Sequence, residues 1–242
     1  MKFITAAVSK TGNRLVNQDY CAFLQINNVS CWVLADGLGG HGGGEVASQV
    51  AVDNILESFK ALPEVSITAI KRYIEAGQDA LIQRQEENPR LSSMRTTVVI
   101  LLTDIKSVIW AHLGDSRLYY FRSGSLQVQT KDHSVPQALV DAGDITSRQI
   151  RFHEDRNRLL RVMGKKGELR PNIEQQLYSI QKGDAFLLCT DGFWESITET
   201  EMEIELTKSD CPSVWVRRME NRILDCAQRD LDNYSAIAIF VN

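Results

Sequence analysis

Five aspartates occupy the ends of strand-like segments in this sequence, and their positions point to a divalent-cation site. Asp36, Asp115 and Asp191 each follow a short apolar run, whereas Asp19 and Asp232 precede such runs. In an antiparallel sheet the start of one strand lies beside the end of its neighbour, so all five carboxylates can gather on one rim. Clustered carboxylates repel one another, and a hard cation with oxygen ligands relieves that repulsion. The spacing therefore predicts a metal site at one edge of the fold.

A glycine-rich loop, residues 37–44, follows Asp36 directly. The apolar run at residues 31–35 predicts a buried strand, and a helical pattern begins at about Glu45. So many glycines in a short loop indicate that the backbone passes close to another group. Asp-Gly is also a common signal for a simple hairpin turn. The recurrence of aspartates at the other strand ends favours a functional loop.

The composition is that of an ordinary globular protein and argues against two classes of partner. The 242 residues are 43% hydrophobic and carry a formal net charge of -4, so we expect no nucleic-acid and no membrane partner. The five cysteines are an odd number without paired spacing, which indicates free thiols in a reducing compartment. Residues 1–8 also lack a signal-peptide pattern. We therefore expect a cytoplasmic protein.

The order of strand and helix patterns predicts an α+β fold in which helices lie on sheets. Two consecutive helical patterns, at about 45–59 and 67–87, separate groups of strand-like runs. A meander of strands follows at about 96–128, and a further helical pattern covers about 214–229. A polar stretch at about 134–169 interrupts the strands; such insertions often carry recognition, although a solvated loop is the simpler interpretation. We expect one domain, because no stretch has the composition of a linker.

Six motifs occur in a fixed order along the chain. They are Arg14 with Asn17-Gln18-Asp19; Asp36-Gly37-Leu38-Gly39-Gly40-His41 followed by Gly44-Glu45; Gly114-Asp115-Ser116-Arg117; Asp132-His133-Ser134; Cys189-Thr190-Asp191-Gly192; and Asp232-Asn233. In this order they resemble the motif set of the metal-dependent protein phosphatases of the protein phosphatase 2C type, in their bacterial form. The resemblance implies a four-layer α-β-β-α sandwich, in which helices flank two central antiparallel sheets. It also implies a single domain of residues 1–242 with a flap at about 143–168.

The resemblance further implies two Mn²⁺ or Mg²⁺ ions at one end of the sandwich. By motif position, Asp36 bridges both ions and the Gly37 carbonyl binds one of them, whereas Asp191 and Asp232 bind the other. Asp115 matches the position that bacterial relatives use, together with Asp191, to hold a third and weaker ion. This assignment agrees with the carboxylate rim inferred from the strand ends.

Three more residues receive catalytic roles. Arg14 is suited to hold a phosphate through its guanidinium fork, although a lone arginine is more often a surface charge. The family resemblance implies that Asp19 acts through metal-bound water. His41 is a candidate acid for the departing serine or threonine alkoxide, which needs a proton. The alternative role of His41 is packing within the glycine loop.

The expected activity is hydrolysis of phosphoserine and phosphothreonine in proteins. Phosphate esters hydrolyse slowly because water is a weak nucleophile and the reacting oxygens are negatively charged, and two metals address both problems. We expect in-line attack by a hydroxide that bridges the ions, without a phosphoenzyme. The expected substrates are phosphoproteins of a cognate serine/threonine kinase, and the expected state is a monomer.

Two positions depart from the family pattern. Gln18 stands where the family usually has glutamate, and Arg95 stands where a glycine usually precedes the Thr96-Thr97 pair. These changes bear on metal affinity and support an alternative, a catalytically weak phosphoprotein-binding module of the same fold. A hydrolase of small phosphorylated metabolites is a third possibility, which turnover of peptides and metabolites would separate. The complete set of metal-ligating aspartates favours the protein phosphatase.

Overall fold

Two antiparallel β-sheets form the centre of the structure, a computed structural model that describes residues 1–39, 43–226 and 231–242. Within these ranges the first sheet has five strands, in spatial order β1 (Phe3–Lys10), β12 (Tyr234–Val241), β11 (Ala185–Cys189), β7 (Arg117–Arg122) and β8 (Ser125–Gln129). The main path of the second sheet is β10 (Tyr178–Ser179), β6 (Ser107–Leu113), β5 (Val98–Thr103), β3 (Val29–Leu38) and β2 (Asp19–Ile26). Two short strands join its sides, β4 (Arg95–Thr96) beside β3 and β9 (Asn172–Ile173) beside β6.

The helices of the described residues lie mostly outside the two sheets. The α-helices are α1 (Gly43–Ala61), α2 (Ile67–Glu87), α3 (Val135–Ala142), α4 (Asp191–Trp194), α5 (Glu199–Thr207) and α6 (Pro212–Cys226), and 3₁₀ helices span Pro89–Leu91 and Ser147–Phe152. Among these segments, none combines the length and the apolar character needed to cross a membrane.

Alternation along the strands divides the core into three layers. In β3, Trp32 and Leu34 pack between the two sheets, whereas Val33 and Ala35 pack against α1 and α2. A third apolar cluster, around Trp215, fills the space between the first sheet and the helices α5 and α6. Strands with both faces buried appear in sequence as continuous apolar runs. The predicted four-layer α-β-β-α sandwich is thus confirmed.

The predicted helices agree with the structure more closely than the polar segments do. The pattern at 45–59 corresponds to α1 and the pattern at 67–87 to α2. The last helix, α6, starts at Pro212 and is described up to Cys226, so residues 227–229 of that prediction lie outside the described residues. Helices α4 and α5 were not predicted; α4 begins at Asp191 itself, and α5 begins at Glu199.

Candidate metal centre

The register of the second sheet brings two of the predicted carboxylates face to face. Asp19 is the first residue of β2 and pairs directly with Asp36 of β3. Asp115 lies just beyond the end of β6, Asp191 opens α4 directly after β11, and Asp232 precedes β12. Like charges at directly opposed positions of a sheet are destabilising. The fold therefore accepts a local cost to gather these groups at one rim.

A hydroxyl joins the two sheets at this rim. The Thr190 hydroxyl, at the end of the first sheet, donates to Asp19 Oδ2 of the second sheet at 2.9 Å. The backbone N–H of Ser235 in turn donates to Thr190 Oγ1 at 3.0 Å. Asp19, Thr190 and Ser235 are all buried. This chain of hydrogen bonds fixes the position of Asp19 relative to the strands of both sheets.

Four of the five carboxylates line one small cavity of about 100 Å³. They are Asp36, Asp115, Asp191 and Asp232, whereas Asp19 is not among the lining residues. Other lining residues come from four segments: Gln18, Gly37, Leu38, Asn157, Leu159 and Asn233. The rim inferred from strand ends thus exists, and the structure brings Gly37 into it as well.

Burial and mutual repulsion shift the titration of these carboxyl groups upward. Burial, followed by the charges of Asp191 and Asp19, raises the pKa of Asp36 well above its usual range. Burial and then Asp191 do the same to the pKa of Asp115. Burial and then Asp232 raise the pKa of Asp191 to about 6. Carboxylates in this state are stabilised by a positive charge placed among them.

The carboxylates match a hard divalent cation in donor chemistry. Asp19 Oδ1 and Asp115 Oδ1 are buried oxygens without a hydrogen-bond partner in the described part of the chain, and a cation would satisfy such atoms. Asp191 Oδ1 accepts from its neighbour, the backbone N–H of Gly192, at 2.6 Å. Within residues 1–39, 43–226 and 231–242, no three acidic, histidine or cysteine side chains already form a ready coordination group. The oxygen-rich donor set fits Mn²⁺ or Mg²⁺ in its chemistry.

Gly37 has a steric reason to be glycine. A Cβ at this position would collide with the carbonyl group of Gly44 and approach the Gln18 carbonyl oxygen to 2.8 Å. The Gly37 N–H donates to that same Gln18 carbonyl at 3.0 Å. The end of β3 is therefore pressed between the start of α1 and the segment before β2, which leaves the Gly37 backbone at the wall of the cavity.

Arg14 reaches the rim but binds a carboxylate there. Its Nε and Nη2 donate to the two carboxylate oxygens of Asp232, each at 2.9 Å. The Arg14 side chain is 50% exposed, so a ligand can approach it from solvent. Asn233 holds the loop that carries Arg14. Its side-chain amide donates to the backbone carbonyls of Thr11 and Val16, on either side of Arg14, at 2.9 and 3.0 Å. Sequence reasoning gave Asn233 no role, although it stands next to Asp232 in the motif.

The two positions that depart from the family pattern differ in their relation to the site. Gln18 lines the cavity, and its Nε2 lies 3.5 Å from the Gly39 carbonyl oxygen. Arg95 instead donates to the carbonyls of Ser92 and Met94 at 3.1 and 2.6 Å and does not line the cavity. His41, the predicted acid, lies outside the described residues.

The predicted flap contacts the rim at two places. Asn157 and Leu159 line the carboxylate cavity, and Arg156 Nε donates to Glu195 Oε2 at 3.1 Å. At the base of the flap, the Gln78 side chain accepts from the Gly164 N–H at 2.7 Å. The polar insertion thus contacts the sandwich at both its middle and its end.

One contact was invisible to sequence reasoning. The indole Nε1–H of Trp194 donates to the backbone carbonyl of Asp115 at 2.9 Å. Trp194 belongs to α4, the short helix that Asp191 opens. The contact links two of the predicted metal ligands through one buried ring, and only the fold brings residues 79 positions apart together.

Comparison with known proteins extends the likeness over the whole sandwich. The sequence profile of the Protein phosphatase 2C family matches residues 8–232. The serine/threonine phosphatase stp of Listeria welshimeri is 32% identical over 176 residues, which cover 71% of this chain and 69% of that relative.

Solved structures give the same result in three dimensions. The serine/threonine phosphatase Stp1 from Staphylococcus aureus matches with a TM-score of 0.88 at 28% identity, over 100% of this chain and 96% of that chain. The catalytic domain of the serine/threonine protein phosphatase PstP, solved in complex with two manganese ions, matches with a TM-score of 0.84 at 27% identity, over 99% of each chain.

Proposed function

The chain belongs to the protein phosphatase 2C family, and we propose that it is a metal-dependent protein serine/threonine phosphatase. The observation that carries this proposal is the single cavity lined by Asp36, Gly37, Asp115, Asp191 and Asp232. A cation would satisfy the buried oxygens of Asp19 and Asp115 that have no hydrogen-bond partner among the described residues. Relatives named serine/threonine phosphatase support the activity, and the relative solved with two manganese ions supports the metal.

The proposed metal ligands are the residues that line the cavity. Asp36 would contact both ions, the Gly37 carbonyl one of them, and Asp191 and Asp232 the other. Asp115, whose buried Oδ1 has no hydrogen-bond partner within the described ranges, would hold a third ion together with Asp191. When bound, divalent cations supply an activated water for direct attack on phosphorus and neutralise the phosphoryl oxygens, so no phosphoenzyme is required.

Arg14 is the proposed phosphate-holding residue. Its guanidinium fork already binds a two-oxygen anion, the carboxylate of Asp232, and a phosphate presents the same bidentate geometry. Its half-exposed position lets a substrate phosphate compete for it. Asp19 does not line the cavity, and its role in the proposal is to position water through its free Oδ1. His41 remains the proposed proton donor to the leaving alkoxide.

The proposal also covers the setting of the enzyme. Its substrates are phosphoproteins of a cognate serine/threonine kinase, and it acts as a monomer built of one domain, residues 1–242, with the flap at about 143–168. The family match over residues 8–232 supports a single domain. The free thiols of Cys21, Cys31, Cys189 and Cys211 support a reducing, cytoplasmic compartment.

Phosphate release from a phosphothreonine peptide tests this function. Protein stripped with EDTA should be inactive, and added Mn²⁺ or Mg²⁺ should restore turnover. Asp191→Ala should lose activity by about a thousandfold or more, because a ligand of the reacting centre is removed. Asp79→Ala, which removes an exposed aspartate of α2, is the matched control and should keep full activity.

Three outcomes would contradict the proposal in different ways. Activity of Asp191→Ala at a tenth or more of wild type would reject the ligand assignment. Faster turnover of small phosphorylated metabolites than of phosphopeptides would reject the protein substrate. Absence of turnover by folded, metal-bound protein would favour the phosphoprotein-binding module, with Gln18→Glu as the next variant to examine.

A further inference from the structure

A second and larger cavity, of about 630 Å³, lies under the first half of the flap. Its walls come from α3, from the 3₁₀ helix Ser147–Phe152 and from the start of α5. It shares no lining residue with the carboxylate cavity. A volume of this size is typical of a pocket for a small organic ligand, and the proposed phosphatase chemistry makes no use of it.

Arg151 forms the buried end of this cavity and has an unused donor. Its side chain is only 8% exposed, and its Nη2 donates to Glu199 Oε1 at 2.6 Å. Its Nη1 is buried and has no hydrogen-bond partner among the described residues. A guanidinium has only donors, and a charged donor buried without an acceptor is strongly unfavourable. The position therefore calls for an acceptor that the described chain does not supply.

Glu199, which accepts the hydrogen bond from Arg151, also interacts with two other side chains. Glu199 Oε1 also lies 3.4 Å from the Tyr119 hydroxyl and 3.7 Å from Nη1 of Arg117. Burial acts to raise the pKa of Glu199, but the charge of Arg151, hydrogen bonds from the Glu199 backbone and from Arg151, and the charge of Arg117 together lower this pKa, so Glu199 stays an anion. Arg117 has its own partner, since it donates to both oxygens of the buried Asp132 at 2.7 Å.

The mouth of the cavity adds positive charge. Lys131 and Arg148 line it, and Lys131 pairs with Asp141 at 2.9 Å. Arg148 is exposed, and no hydrogen bond or ion pair of Arg148 is found within the described ranges of the chain. Among the described residues that line the cavity, one side chain is acidic, Glu199, and four are basic. The side chains that line the cavity thus carry an excess of positive charge.

Apolar side chains complete the cavity. Val140 and Ile150 line it, and Phe152, which is 84% exposed, stands at its edge. A bare inorganic ion would leave most of this volume and all of this apolar wall without contacts. A ligand with an anionic head and a small carbon body matches both parts of the wall.

Trp194 lies beneath the basic end and connects it to the metal centre. The Arg117 guanidinium lies 3.4 Å from the centroid of the Trp194 ring and that of Arg151 lies 5.4 Å from it. Stacking of this kind fixes the plane of a guanidinium and prepares its fork for an anion. The indole N–H of the same ring donates to the Asp115 carbonyl. A ligand at Arg151 would therefore change the surroundings of a ring that touches the carboxylate rim.

We propose that this cavity binds an organic anion, a phosphate or carboxylate on a small carbon body, with its oxygens on Arg151 and Arg148. The anion comes either from a free small molecule or from a side chain of a protein that docks under the flap. Both sources present the same chemistry to the guanidinium groups, and the experiment separates them. The site is distinct from the proposed catalytic centre, so binding there can be measured without turnover.

The test uses the indole N–H signal of Trp194 in ¹⁵N-labelled, Mg²⁺-loaded protein. The chain has 4 tryptophans, and the Trp194→Phe variant identifies the relevant signal. Benzylphosphonate, which cannot be hydrolysed at a phosphate ester, is the free probe. A short peptide with the same phosphonate on a phenylalanine side chain is the chain-borne probe. We expect the Trp194 signal to shift and saturate with at least one of them, and the tighter probe identifies the source.

Variants assign the shift to the cavity. Arg151→Gln should weaken binding by about tenfold or more, because a charge-assisted donor pair is lost. Arg148→Gln, an exposed substitution that the fold tolerates, should weaken it by about two- to fivefold. Arg158→Gln is the matched control, because this exposed flap arginine pairs with Asp155 and does not line the cavity. Its Kd should equal that of wild type.

Two results would overturn the proposal. A Trp194 signal that stays in place with both probes would mean that water alone satisfies Arg151. A shift that disappears in Arg14→Ala but keeps its wild-type Kd in both Arg151→Gln and Arg148→Gln would mean that the probe binds at the carboxylate rim.

Discussion

Replacing Asp19 with asparagine should stabilise the metal-free protein above neutral pH while it weakens metal binding. Burial raises the pKa of Asp19 from 3.8 to about 7, with further contributions from the charges of Asp191 and Asp232. Hydrogen bonds with Ser235 and Thr190 act in the opposite direction but do not outweigh burial. The ionised carboxylate that serves a cation is therefore a cost to the fold when the cation is removed.

The size of this cost follows from the linkage between proton binding and folding. Because the folded-state pKa lies above the unfolded value of 3.8, the folded protein holds a proton that the unfolded chain releases, and stability falls as pH rises between these values. At about 1.36 kcal/mol for each tenfold change in proton affinity, the ionised Asp19 costs about 4 kcal/mol above pH ~7. Asparagine cannot ionise, yet its amide oxygen can still accept the Thr190 hydroxyl.

Melting temperatures in EDTA provide the assay. At pH ~8 the Asp19→Asn variant should melt about 8 to 16 °C above wild type, from about 2 to 4 °C per kcal/mol in a chain of this size, and the difference should shrink towards pH ~4. Asp79→Asn, which replaces an exposed aspartate on α2, is the control and should leave the melting temperature unchanged. Added Mn²⁺ should raise the melting temperature of wild type more than that of Asp19→Asn. A variant that melts at or below wild type in EDTA at pH ~8 would refute the reasoning.

Three further predictions concern activity and the buried charges. Arg14→Ala should raise KM by about tenfold or more with little change in kcat, since phosphate is held equally in the ground and transition states; steady-state kinetics with an unchanged KM would reject this role. His41→Ala should slow hydrolysis of an alkyl phosphate far more than that of an aryl phosphate, whose leaving group needs no proton, and equal losses would remove the acid role. Arg117→Leu should cost about 3 to 5 kcal/mol in urea unfolding, because it leaves the carboxylate of Asp132 buried without its partner. The double variant with Asp132→Leu should recover most of that loss, whereas additive losses would contradict the pairing.

The positions of the carboxylates could be predicted from sequence because strands impose a simple rule. Each aspartate adjoins an apolar run, and antiparallel pairing puts run ends together. This rule predicted a shared rim, whereas the direct opposition of Asp19 and Asp36 in the register is a finding of the structure. The identity of the metal ligands came from the family motifs, since a strand end alone does not state which carboxylate turns inward.

Helix α5 escaped prediction for a physical reason. Its apolar residues Met202, Ile204 and Leu206 alternate with polar ones, which is the period of a strand and not of a helix. The available signal was local, because Thr198 and Glu201 form a capping box that marks a helix start. Capping is a stronger guide than periodicity where a helix is short and only half buried.

The cavity under the flap could not have been predicted from sequence. Arg151 meets Glu199 across 48 positions of chain, and Trp194 meets Asp115 across 79. Neither pair has a spacing that secondary structure explains. Nη1 of Arg151 has no acceptor in the part of the chain that the structure describes, and this is a property of packing that no sequence pattern shows.

The stoichiometry of Mn²⁺ binding tests most directly the claim that the aspartate rim is a metal centre. Isothermal titration of EDTA-stripped and desalted protein should give two ions per chain, with a weaker third ion that Asp115→Ala removes. Asp36→Ala should abolish the two tighter sites together, because this carboxylate is proposed to contact both ions. A wild-type protein that releases phosphate with no ion bound, or an Asp36→Ala variant that still binds two ions tightly, would contradict the account.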